Sequence, residues 1–251
     1  MNTHTGTGTG IGPGAGTGTR TIGLIGGMSW ESTAEYYRHV NEFTRGRLGG
    51  LHSARCVVYS VDFADIERLQ AQGRWDEAGR ILADAARALH AAGCDLLLLC
   101  TNTMHKVADQ VEAATPLPLL HLADTTADAV RAAGLRRVGL LGTAFTMEQD
   151  FYRDRLASGG LDVRVPDAAG RALVHQVIYD ELCLGVVRED SRAAYREIIR
   201  QLVADGAEGI VLGCTEIELL VRPEDSPVPL FPTARLHAEA AVTAALAPPA
   251  P

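Results

Sequence analysis

Cys214 stands in the stretch Gly213-Cys214-Thr215-Glu216, directly after a short apolar run, and a thiol in such a place can carry a proton or act as a nucleophile. Glu216 and Glu218 read as the first turn of a helix. A thiol at a helix N-terminus has its anion favoured by the dipole, and the thiolate is the reactive form. A second apolar run, Leu96 to Leu99, leads into Cys100-Thr101-Asn102-Thr103. There hydroxyls, an amide and open backbone N–H groups can hold a carboxylate, although Thr and Asn also cap helices with no ligand present. The segments 92–103 and 205–216 superpose without a gap at an offset of 113 positions, pairing Gly93 with Gly206, Leu99 with Leu212, Cys100 with Gly213 and Thr101 with Cys214. Side chains alternate across a strand, so Cys100 and Thr101 cannot both point into one cleft. On this register Thr101 faces Cys214, and Cys100 is a small buried hydrophobe.

The elements that must position these residues form a repeat of their own. "IGLIGG" from Ile22 and "VGLLGT" from Val138 lie 116 positions apart, and each leads into an aromatic, Arg-bearing helix, "EYYRHV" and "DFYRDRL". Continuous apolar strands such as "LLLL" and "GIVLG", separated by amphipathic helices, imply parallel sheets covered on both faces. The expected fold is α/β, with two pseudo-symmetric domains, each a parallel sheet flanked by helices. The Pro residues of "ATPLPLL" and "SPVPLFP" mark the crossings. The expected boundaries are 21–118 and 119–231, with a last helix over 232–248 returning to the first domain. Ligands of open α/β sheets sit beyond the carboxyl ends of strands, so the site belongs in the cleft between the halves. Residues 1–20, a Gly/Thr repeat with little to bury, are expected to form a flexible tail.

Composition excludes several classes. A net charge of −8 with no basic block argues against nucleic acid, and no apolar run nears the roughly 20 residues that cross a bilayer. Five cysteines without a CxxC pair fit reduced thiols of a cytoplasmic protein, and no HxxxH or HExxH spacing supports a metal site. "GLIGG" lacks the full GxGxxG of a dinucleotide fold.

Taken together, "TIGLIGGMSWESTAEYYRHVNE", "RLGGLHS", "CTNTMHKVAD", "GTAFTMEQDFYRDRL", "ELCLG" and "GCTEIELLV" resemble the aspartate/glutamate racemase family, over essentially the whole chain after residue 20. The resemblance implies two pseudo-symmetric α/β domains, a site between them, a homodimer, no cofactor, and a small acidic amino acid as substrate. It also implies two acid/base residues on opposite faces of the substrate, which inversion of a stereocentre requires. Cys214 matches the second catalytic cysteine, and Thr101 falls on the first. Gly27, Met28 and Ser29, with Thr143 and Thr146, match the two substrate-lining loops; Asn102, Thr103 and His105 match "NTxH", and Thr215 accompanies Cys214. Arg47 and His52 are the expected partners of a side-chain carboxylate, and Pro232 stands where relatives carry an acidic residue. A Thr/Cys pair implies turnover biased to one direction, starting from the L-amino acid. Two other readings fit the same residues: a decarboxylase or dicarboxylate isomerase on this scaffold, and a non-catalytic amino-acid-binding protein.

Overall fold

The computed structural model describes residues 19–248. Its first half runs β1 (Ile22–Gly26), α1 (Trp30–Leu48), β2 (Cys56–Ser60), α2 (Phe63–Ala71), α3 (Trp75–Ala91), β3 (Leu96–Leu99), a 3-10 helix (Thr103–Val107), α4 (Ala108–Glu112) and β4 (Leu119–Leu120). The second runs α5 (Leu122–Ala132), β5 (Arg137–Gly142), α6 (Ala144–Glu148), α7 (Asp150–Ser158), β6 (Asp162–Arg164), α8 (Ala168–Asp180), a 3-10 helix (Leu182–Leu184), α9 (Glu189–Ala204), β7 (Gly209–Gly213), α10 (Ile217–Leu220) and β8 (Leu230–Pro232), and α11 (Thr233–Leu246) closes the chain.

Two four-stranded parallel sheets result, ordered β2-β1-β3-β4 and β6-β5-β7-β8. The order is the same in both, as the repeat requires. Central strands β1, β3 and β7 are buried throughout, which is why their sequences are continuously apolar rather than alternating. Register carries the pseudo-symmetry down to single residues: Ile25 pairs with Leu99 in the first sheet and Leu141 with Leu212 in the second. Thr101 and Cys214 each stand two residues past the paired leucine of their own strand.

Two expectations change. Leu119 and Leu120 pair with Leu97 and Leu98, so the first sheet extends past residue 118 and the crossing follows Leu120. Proline interrupts a helix but does not bar the strand that follows it, and Pro118 itself accepts a ladder hydrogen bond from Leu97. The Gly/Thr-rich stretch lies outside the described residues as far as residue 18, but Arg20 is held, its backbone N–H donating to Ala245. Helix α11 packs its alanines, Ala234, Ala238, Ala241 and Ala245, into the core formed by Ile22, Leu24, Tyr36, Val40, Leu96 and Leu98 of the first sheet and α1.

Candidate active site

Both halves aim strand–helix turns at one cleft. After β1, Gly27 takes φ +90°, and a Cβ there would lie 2.1 Å from the carbonyl oxygen of Val61, so only glycine passes that close. Ser29 then caps α1, accepting from the Ser32 N–H at 3.2 Å. After β5, Thr143 caps α6 in the same manner. Thr103 from the first half meets Thr143 of the second at 3.0 Å, Thr146 lies 3.4 Å from Thr103, and Asn102 donates to Thr233 at 3.1 Å. These contacts stitch the halves together at the back of the cleft.

The cleft is lined by Met28, Thr101, Asn102, Thr103, Thr143, Cys214 and Thr215, with Ser32, Phe63, Gln70, Tyr179, Cys183 and Glu216. Seven of the residues anticipated from the sequence therefore meet in one place. Ser29 and Thr146 stand just behind them: Ser29 donates to Glu216 at 2.6 Å, and the fully buried Thr146 hydroxyl serves Thr103 and Thr143. Cys100 is fully buried on the opposite face, within the α1/α11 core, and burial pushes its thiol well up. The free interior of the cleft is only about 30 Å³, room for a water or two and far too little for an amino acid.

The Cys214 thiol does not behave as its sequence context suggested. Helix α10 has four residues and begins beyond Glu216, so it offers little dipole. Burial, reinforced by the Glu216 carboxylate, instead pushes the thiol well above its ordinary value. Cys214 donates to that carboxylate at 2.9 Å.

A profile of the family described as Asp/Glu/Hydantoin racemase matches residues 25–241. The chain belongs to this family. It is thus an amino-acid racemase, an isomerase. A crystal structure from Yersinia pestis, provisionally assigned as an Asp/Glu racemase, is 53% identical, superposes with a TM-score of 0.85, and is covered completely by 91% of this chain. An aspartate racemase homologue from Pyrococcus horikoshii OT3 is 32% identical with a TM-score of 0.79, over 90% of this chain and 99% of that one. The broad specificity amino-acid racemase RacX of Bacillus subtilis is 23% identical over 90% of this chain and 98% of its own length.

Within the racemase, buried histidines hold the Thr101 turn. His105 Nε2 accepts from the Leu122 N–H at 3.2 Å, so its proton sits on Nδ1 and is donated to the Thr101 carbonyl at 2.7 Å. His121 caps α5, and His237 of α11 accepts from Tyr36 and donates to the Leu120 carbonyl. Burial pushes all three down, His121 and His237 to about 4, so they are neutral.

Arg47 and His52 are not brought to this site. Arg47 lies in the last turn of α1, bonding Thr243 at 2.7 Å and pairing with Glu239 of α11 at 3.5 Å, and His52 is exposed in the loop beyond. Nineteen residues of helix separate the cleft from that end, roughly 28 Å at 1.5 Å per residue. Among the residues that line the cleft, Glu216 alone is charged. Sequence reasoning passed over Glu216 as a mere helix residue and missed Cys183, although "GCTE" and "ELCLG" both contained the signal.

Proposed function

We propose that the racemase inverts an acidic amino acid, aspartate or glutamate, without a cofactor, using Cys214 and Thr101 on opposite faces of the α-carbon. The observation that carries this reading is the equivalence of the two residues: each stands two positions past a paired leucine, one from either sheet, and both line the same cleft. Opposed groups from a twofold-like repeat are what removal on one face and delivery on the other require. The names of the Yersinia and Pyrococcus relatives support the substrate class. The substrate carboxylates are received by side-chain and backbone donors of Asn102, Thr103, Thr143 and Thr215, which also face the charge that develops on the carboxylate as the α-proton leaves.

A hydroxyl is a far weaker base than a thiolate, so Cys214 abstracts from the L-amino acid and Thr101 delivers to form the D; the bias lies in turnover at saturation, since the equilibrium constant between enantiomers is one and kcat/KM is equal in the two directions. The enzyme works in the cytoplasm as a homodimer, as the family resemblance implies. NMR of the α-proton in heavy water, with L- and D-aspartate and L- and D-glutamate supplied separately, tests the assignment. Conversion of an L-substrate to α-deuterated D-product, abolished in Cys214→Ser and reduced at least about a hundredfold in Thr101→Ala, is expected. Equal turnover of both enantiomers, with Thr101→Ala unchanged, would sink it.

A further inference from the structure

Helix α2 turns Phe63 and Gln70, seven positions apart and so on one face, towards the cleft, and α8 brings Tyr179 to meet them from the second half. The Tyr179 ring stacks on Phe63 with centroids 6.5 Å apart, and its hydroxyl donates to Gln70 Oε1 at 3.3 Å. Gln70 is only 4% exposed, and its Nε2 donates to the Met104 thioether at 2.9 Å, a weak acceptor for a group that can donate twice. This wall of the cleft therefore offers a buried amide with hydrogen-bonding capacity to spare, and no Lys or Arg lines the cleft beside it. Resting on the racemase reading above, we propose that Gln70 and Tyr179 form the subsite for the substrate side chain, and that the enzyme also inverts the carboxamide amino acids asparagine and glutamine.

The match is one of donors and acceptors. A carboxamide carbonyl accepts from Gln70 Nε2, and the carboxamide NH2 donates to Gln70 Oε1 and Tyr179 Oη, so both sides of the pair are satisfied. A carboxylate in the same place has no hydrogen to give, and one of its oxygens faces Gln70 Oε1, which can only accept. It also brings a second charge out of water with no cation to receive it, which an amide does not. A purely apolar side chain leaves the buried Gln70 amide without a better partner than Met104. The chemistry at the α-carbon is the same for acid and amide: Cys214 and Thr101 act on the same atoms, and no bond of the carboxamide is broken. Gln70 and Tyr179 thus determine specificity and take no proton.

Deuterium uptake at the α-carbon, run on the wild-type enzyme with L-asparagine and L-glutamine beside L-aspartate and L-glutamate, tests this without any variant. At least one amide is expected to match or exceed the acid of its own length in kcat/KM. Gln70→Glu removes the Nε2 donor and puts a carboxylate on the wall. The acids should then lose about a hundredfold or more in kcat/KM and the amides, which still donate to the new oxygens, about tenfold or less, so the amide-to-acid ratio rises about tenfold or more. A merely structural role for Gln70 would lower acids and amides alike. Tyr179→Phe keeps the stack on Phe63 and should raise KM for the amides several-fold with kcat near wild type. Exchange of the acids but of neither amide, or an equal loss of both classes in Gln70→Glu, would overturn the proposal while leaving the racemase reading intact. Exchange of none of the four overturns both, and exchange of the amides alone keeps the subsite and removes the acids from the substrate class.

Discussion

Thr101 and Cys214 were legible as a pair because a strand leaves no freedom: once Leu99 is matched with Leu212, every following side chain is assigned a face. The Glu216–Cys214 contact was not legible, since it depends on how the chain turns in the two residues after a strand. Arg47 and His52 misled for a different reason: closeness in sequence to a motif says nothing about which end of a long helix faces the cleft. If the weak base is what biases the reaction, Thr101→Cys should raise exchange starting from the D-enantiomer by about tenfold or more relative to wild type, measured by the same deuterium uptake. Gly27→Ala forces a Cβ against the Val61 backbone at positive φ and should cost about 1–3 kcal/mol of stability, read as a lowered urea midpoint.

The strands and most helices announced themselves through apolar runs and amphipathic spacing, but β4 did not, being two residues long between prolines and His121. Its place is fixed by neighbours: β3 supplies the ladder and His237 of α11 donates to Leu120. The return of α11 to the first half follows from its small residues. Ala234, Ala238, Ala241 and Ala245 recur at helical spacing on one face, and each is essentially buried where α11 meets the first sheet and α1. Close-packed helices with alanine between them have no room for more. Ala241→Leu should therefore destabilise the fold by about 1–3 kcal/mol, with the loss appearing in denaturant unfolding rather than in KM.

For the molecule as a whole, the buried histidines set an acid limit. Their folded values lie below the unfolded value near 6.5, so the unfolded chain binds more protons as pH falls, and stability drops from about pH 6.5 down through about 4. Each such histidine contributes a slope of up to about 1.4 kcal/mol per pH unit in that window. Thermal unfolding at pH 7, 6 and 5 should show the decline, and His121→Asn should make it shallower. The near-absence of free space between the halves has a consequence for the hydrogen itself. An amino acid seated in so narrow a cleft leaves little bulk water beside it. The atom stripped from the α-carbon then has nowhere to mix. In half-deuterated water, recovered L-substrate should keep its original isotope while the D-product carries the solvent's, so that each turnover leaves a record of which face the hydrogen left and which it entered.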